Sequence, residues 1–154
     1  KLKLPVCIQP GKGYSLTTDA RISASRTPCM FEDVRVVATP WASGFRLGGT
    51  MEFSGFDETV NEKRMLSLAK GAQQFMHQPI DLGSFDGWIG WRPMTFSGLP
   101  MIDFLPRLNN AVIAAGHNML GLTMAIRTGR LVTEMLAGQT PAVNMEPFKI
   151  ARKI

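Results

Sequence analysis

Gly90-Trp91-Arg92-Pro93-Met94-Thr95, with Ala111-Val112-Ile113-Ala114-Ala115-Gly116-His117-Asn118-Met119-Leu120-Gly121-Leu122-Thr123 further along, decides how this chain is read. The first stretch sets one guanidinium among tryptophan, glycine and proline. Arg92 is therefore either a structural arginine capped by carbonyls or a receptor for an anion. The second stretch has the pattern of a short buried strand, 111–115, entering a helix through a glycine, with Asn118 in the N-cap role. No acidic side chain stands in the first turn of that helix. Its free N–H groups and positive dipole end suit an anion or a polar ring edge. Two anion-seeking groups one strand apart point to a carboxylate ligand held beside a cofactor that becomes negative.

Outward from there, residues 4–53 read as short strands. Val34 to Thr39 alternates as a half-buried strand, 40–44 is a turn, and Phe45 to Phe53 returns as the partner. Gly48-Gly49 inside that return predicts a bulge or a close approach of backbone or ligand. Thr59-x-x-Glu62 is a capping box, and Met65, Leu68, Ala69, Ala72, Phe75 and Met76 follow at helical spacing. The pattern predicts an amphipathic helix over about 60–77, stopped by Pro79, with Met and Phe facing the core. Trp88 to Thr95 reads as a strand, 96–106 as a Pro- and Gly-rich loop, and about 119–137 as the last helix. Gly138 stands at its C′ position with Pro141 beyond. Leu120 to Ile126 is apolar nearly all round and is expected to be buried against partners.

The composition, 45% apolar and 19% charged, is that of a folded domain, and 154 residues suffice for a sizeable core. The net charge of +5 does not imply nucleic acid. Setting aside Lys1, Lys3, Lys149, Arg152 and Lys153 at the two ends leaves 12 basic against 12 acidic residues. Cys7 and Cys29 lack metal-ligand spacing and read as free buried thiols. His77 and His117 are too few for a histidine-based metal site, so no metal is expected. The opening Lys1-Leu2-Lys3-Leu4 suits a fragment or a processed chain. Dinucleotide binding normally needs strand, Gly-x-Gly-x-x-Gly and helix. The nearest match, Gly11-Lys12-Gly13-Tyr14-Ser15-Leu16, lacks the third glycine and opens no helix.

The order Trp88-x-Gly90-x-Arg92-Pro93-x-Thr95-x-x-Gly98-x-Pro100, then Ala114-Ala115-Gly116-His117-x-x-Leu120-Gly121-x-Thr123-x-Ala125 and Thr128-Gly129, resembles the C-terminal portion of FAD-dependent D-amino acid dehydrogenases. Their wider group takes in glycine oxidase, sarcosine oxidase and D-amino acid oxidase. The resemblance extends to 10–15, 48–53, Gly55-Phe56-Asp57, and the tail from Gly138 through Pro141 to Ala151-Arg152. It departs from the pattern at Ser97, at Asp103 and at Ile126-Arg127.

The resemblance implies an α+β fold: an antiparallel substrate-domain sheet with a flanking helix, plus the last strand and helix of a Rossmann-like FAD domain. Residues 1–104 are then part of the substrate domain and 105–154 the return to the FAD domain, whose dinucleotide-binding part lies ahead of this sequence. It implies oxidation of D-amino acids to 2-oxo acids and ammonia by hydride transfer to flavin, with a quinone or another acceptor taking the electrons. A glycine- or sarcosine-type amine oxidase is the alternative, and a non-catalytic module the reading from another class.

Arg92 matches the family's carboxylate-binding arginine, and Met119 falls where relatives border the substrate. Tyr14 and Trp41 are candidate substrate-pocket walls, as are Trp88 and Trp91. Gly116, His117, Asn118, Met119, Leu120, Gly121, Leu122 and Thr123 match the segment that lies along the flavin's pyrimidine edge. There the imidazole serves cofactor contact, and no residue is assigned as a general base. The expected partners are a D-amino acid or small amine, the electron acceptor, the missing N-terminal FAD-binding portion, and a second copy in a homo-oligomer. The expected location is the cytoplasm, or the inner face of the cell membrane as a peripheral protein.

Overall fold

The computed structural model describes residues 6–19, 26–42, 44–106, 108 and 110–150. Lys1, Lys3, Ala151, Arg152 and Lys153, and Ser43 of the predicted turn, lie outside the described residues. The chain forms two compact units, Gly11–Trp91 and Lys1–Pro10 with Arg92–Ile154.

Gly11–Trp91 is organised by a five-stranded sheet of order β2-β3-β4-β1-β5, with β1 Ile8–Thr18, β2 Cys29–Phe31, β3 Val36–Trp41, β4 Gly44–Glu52 and β5 Asp86–Thr95. β1 and β5 continue past the unit's boundaries. The β3–β4 hairpin predicted from 34–53 is present, with Trp41 opposite Gly44. Its first strand starts at Val36 because Glu32–Val34 forms a 3-10 turn and Arg35 closes it in the left-handed region at φ 52. Pro40 is tolerated because β2 reaches only as far as Ala38, so no ladder hydrogen bond is lost on that side.

The glycine pair holds both features foreseen for it. The β1–β4 register shifts between Gly13, opposite Met51, and Tyr14, opposite Gly49, which leaves Thr50 as the extra residue at φ 48. Gly49 is also a close approach, since a Cβ there would lie 2.5 Å from the Arg35 carbonyl oxygen.

One sheet face is covered by α1, Glu62–Gln73, through Met65, Leu68, Ala69 and Ala72. Opposite them stand Tyr14 and Leu16, Val36 and Ala38, and Phe45 and Leu47, alternate residues that share a face at the strand period of two. Each large apolar side chain fully buried here contributes about 1.5–3 kcal/mol. The helix is shorter than the predicted 60–77, and the capping box does not form. Thr59 gives its N–H and its hydroxyl to the Asp57 carboxylate instead, at 3.0 and 2.7 Å. Asn61 takes the N-cap position without a side-chain cap bond. At the other end the Gln73 amide donates to the Met76 and Gln78 carbonyls and accepts the Ile80 N–H at 2.7 Å, folding the chain back around Pro79. Phe75 is not in the core. It is half exposed and stacks on Phe31 at 4.5 Å.

The other unit contains a two-stranded antiparallel sheet, β6 Met101–Phe104 with β7 Val112–Ala115, and α2 Gly121–Leu136. The segment 96–106 is thus not all loop. β6 is four residues between prolines, too short for its period to show. β7 is half-buried among the described residues rather than buried. Asp103, a departure from the family pattern, uses both carboxylate oxygens, accepting the Phe104 N–H at 2.9 Å and the Ile150 N–H at 3.2 Å. α2 ends as its sequence predicts: Gly138 at φ 66 donates to the Met135 carbonyl, and Gln139 donates to that of Glu134. Cys7 is exposed and Cys29 half-buried, so neither is the buried thiol expected. Among the described residues no helix is long and apolar enough to cross a membrane.

Candidate functional site

Arg92 lies on β5 where that strand enters the second unit, and it is half-buried. Among the described residues it makes no ion pair and no side-chain hydrogen bond. Arg64, the other half-buried arginine among the described residues, is engaged: it gives Nε to Glu52 at 2.6 Å and Nη1 to Thr50 and Met51. The carbonyl-capped reading of Arg92 therefore finds no cap, and its planar five-donor fork is left available.

The residues around Arg92 explain the motif's spacing. A Cβ on Gly90 would fall 2.1 Å from the Trp88 ring, so the ring in this position lies directly over the bare glycine. The Trp91 ring meets Phe56 at 5.8 Å in a tilted pair. Two residues on, the Pro93 carbonyl accepts the Asn118 backbone N–H at 3.1 Å. This bond joins the strand end to the 116–121 turn.

That turn is built from special backbone. Gly116 sits at φ 78, and a Cβ on it would meet Thr95 Cγ2 at 2.4 Å. Asn118 is left-handed at φ 54. It is not the N-cap expected, because its amide is spent on Thr95, Gly98 and Gly116. Leu120 precedes α2 without a side-chain cap. The N–H groups of Gly121, Leu122 and Thr123 precede the first intrahelical bond, which Met124 donates to the Leu120 carbonyl. There is no acidic residue in this first turn. The helix start therefore keeps both its donors and its positive end.

His117 is not a free imidazole. Its Nε2 lies 2.9 Å from the Thr128 hydroxyl, one α2 face away, which orients the ring. Met119 is exposed beside it, while Leu122 and Ile126 are 94% and 90% exposed, one turn apart on α2. The apolar stretch expected to be buried has no cover among the described residues.

Tyr14 and Trp41 fall in the Gly11–Trp91 unit and are not alike. Tyr14 is a core residue, 1% exposed, whose hydroxyl donates to Glu52 Oε1 at 2.5 Å. Trp41 is exposed, with the Arg46 guanidinium 5.1 Å from its ring.

Sequence reasoning missed the ionic cluster behind Tyr14. Lys12 is completely buried, and its ammonium sits 2.9 Å from Glu52 and 3.0 Å from Asp57, donating also to the Asp57 and Thr59 carbonyls. Burial alone lowers its pKa, but the two carboxylates outweigh this and hold it above the ordinary lysine value. The Tyr14 hydrogen bond, with Lys12 and Arg64, depresses Glu52 to about 2. The bonds from Thr59, then Lys12, depress Asp57 to about 2. Burial, then the Glu52 carboxylate, raises Tyr14. A lysine inside a strand between glycines was the available signal, since lysine is almost never buried unless paired. An apolar cleft of about 360 Å³, lined by Cys7, Thr95, Phe96, Leu99, Met101 and Ile150, contains none of the predicted site residues.

The family model described as FAD dependent oxidoreductase matches residues 1–135. The D-amino acid dehydrogenase of Xanthobacter autotrophicus is 36% identical, over 98% of this chain and 36% of its own length. That of Methylobacterium radiotolerans is 34% identical over the same shares. The chain thus spans little more than a third of these relatives. In fold it is similar to glycine oxidase from Geobacillus kaustophilus, with a TM-score of 0.85 at 24% identity, over 98% of this chain and 41% of that one. L-proline dehydrogenase from P. horikoshii gives 0.80 at 21% identity, over 98% and 41%.

Proposed function

The chain belongs to the DAO family of FAD dependent oxidoreductases, and from that premise we propose that it supplies the substrate-carboxylate grip and the flavin-edge turn of an enzyme that oxidises D-amino acids to 2-oxo acids and ammonia. In this reading residues 1–104 are part of the substrate domain. Residues 105–154 return to the FAD domain, whose dinucleotide-binding part holds the rest of the cofactor. The observation that carries the reading is Arg92, half-buried and without a partner among the described residues, on a strand bonded to the 116–121 turn.

The residues present fit a flavin edge. A Cβ on Gly121 would lie 3.6 Å from His117 Cβ, an ordinary contact, so the packing described does not itself require glycine there. A bare backbone at the first helical position suits the close approach of a flat ring. The unbonded N–H groups of 121–123 are preorganised donors for developing negative charge. The chemistry FAD would supply here is that of a hydride acceptor for the substrate's Cα. Arg92 grips the carboxylate through two parallel N–H···O bonds and fixes where Cα lies. Met119 borders the substrate, and His117, its Nε2 occupied by Thr128, contributes cofactor contact rather than proton transfer. The resulting imino acid hydrolyses in water.

The electrons pass on to a quinone or another acceptor, and the protein works in the cytoplasm or at the inner face of the membrane. Leu122 and Ile126 are covered by the rest of the enzyme or by a second copy. The test is anaerobic mixing of the FAD-loaded enzyme with D-alanine, followed by flavin absorbance. Bleaching is expected, and an unbleached flavin with D-amino acids, glycine and sarcosine alike overturns the reading. Dye reduction outpacing oxygen consumption separates a dehydrogenase from the glycine- or sarcosine-type oxidase.

A further inference from the structure

We infer that Asn118 is a positioning residue that sets the spacing between the Arg92 strand and the start of α2; the inference rests on the reading just given for those two segments. Its side chain reaches three separate pieces of chain. Oδ1 accepts the Thr95 backbone N–H at 2.8 Å. Nδ2 donates to the Gly98 carbonyl at 2.9 Å and to the Gly116 carbonyl at 3.0 Å, with a longer contact to Thr95 Oγ1 at 3.3 Å. The backbone N–H adds the bond to Pro93. One residue thereby ties the end of β5, the turn after it and the approach to α2, all inside a single compact unit.

The amide is needed beyond its conformation. A left-handed φ of 54 is met most easily by glycine, with asparagine next. If the turn's shape were the only demand, glycine would serve. Asparagine adds an acceptor for one strand N–H and donors for two carbonyls, groups that aspartate or serine cannot match together.

The joint also has no slack. Gly116 already packs so closely on Thr95 that a single methyl would overlap it. Thr95 is held in turn by its hydroxyl bond to the Leu99 carbonyl at 2.9 Å. The strand end and the turn are thus at contact distance, and the Asn118 amide locks their register.

This matters because hydride transfer is steep in distance. A misplacement of about 1 Å costs on the order of 100-fold in rate while leaving binding groups in place. Arg92 fixes the substrate's carboxylate and the helix start fixes the acceptor edge, so the element that spaces them governs kcat more than KM.

Asn118→Gly tests this, because it keeps the left-handed backbone and deletes only the amide. In the protein without substrate, hydrogen exchange at the Thr95 amide is expected to speed up at least about 10-fold, since its acceptor is gone. In the FAD-loaded enzyme, flavin bleaching by saturating D-alanine is expected to slow by about 10- to 100-fold, with half-saturation and FAD affinity moving less than about threefold. Asn118→Asp, which keeps the acceptor for Thr95 but not the donors, should hold the Thr95 amide protected and recover part of the rate. If the glycine variant does not fold, Asn118→Asp carries the kinetic comparison alone, and a rate equal to wild type overturns the positioning role. A wild-type flavin left unbleached by D-amino acids, glycine and sarcosine alike refutes the function proposed above. A bleaching wild type whose glycine variant reacts equally fast overturns the positioning role, as does loss of Thr95 protection with no loss of rate.

Discussion

Gly48 and Gly49 are neighbours on β4, yet alanine should act on them in opposite directions. A Cβ on Gly49 would lie 2.5 Å from the Arg35 carbonyl oxygen, 0.9 Å inside the 3.4 Å at which ordinary contact begins, and 3.0 Å from Leu68 Cδ2. The first obstacle is the backbone of the residue that closes the 3-10 turn just before β3, and it cannot rotate away as a side chain would. Overpacking costs about 1–3 kcal/mol, and a backbone collision belongs at the upper end. Replacing glycine in a strand returns about 0.5–1 kcal/mol, so Gly49→Ala should lose about 2 kcal/mol. Gly48 has nothing within 4 Å of its would-be Cβ, and Gly48→Ala should gain about 0.5–1 kcal/mol. With a urea slope of about 2 kcal/mol/M, the two midpoints should separate by about 1–1.5 M. Tryptophan fluorescence is the natural assay, because Trp41, Trp88 and Trp91 all lie in Gly11–Trp91. Equal shifts for the two variants would refute the packing argument.

Arg92→Lys in the FAD-loaded enzyme should raise KM strongly with FAD content unchanged, because a point charge cannot reproduce the two-bond grip. Arg92→Ala should lose about 2–5 kcal/mol in kcat/KM, and an unaltered KM in steady-state assays removes the assignment. Gly121→Val should lower flavin occupancy, read as the absorbance ratio of flavin to protein, and full loading would mean that the glycine serves packing only. Glu52 and Asp57 are both depressed to about 2, so their stabilisation is fully present above their ordinary values of 4.5 and 3.8 and drains away as pH falls toward 2. Urea midpoints should therefore drop steeply below about pH 4.5, and Glu52→Gln should flatten that drop. A wild-type profile as flat as the variant's would contradict the cluster's role.

The parts of the fold legible in the sequence were those with a long period or strong punctuation. The 36–52 hairpin, the buried face of α1 and the Gly138 stop of α2 all declare themselves locally. What stayed hidden was set by competing partners, near or far in sequence, or by an element too short to show a pattern. Thr59 is a sound capping residue until Asp57 claims its donors. Asn118 is a sound N-cap until Thr95, 23 residues earlier, takes its amide. β6 is too short to show a period, and Lys12 pairs with carboxylates 40 and 45 residues away. For the site, motif order pointed to Arg92 and to the turn, but no pattern of residue types could show that Arg92 would be left without a partner while Arg64 would not.

Lys12 has one more property. Its amine is completely covered, and its hydrogens are committed to Glu52, Asp57 and Thr59. An amine-reactive reagent can reach it only after the 57–59 segment has lifted away, whereas exposed Lys63 and Lys70 on α1 are open to labelling at all times. The extent of acylation at this one position, read by mass spectrometry against those two lysines, is a built-in clock for how often the sheet unlocks.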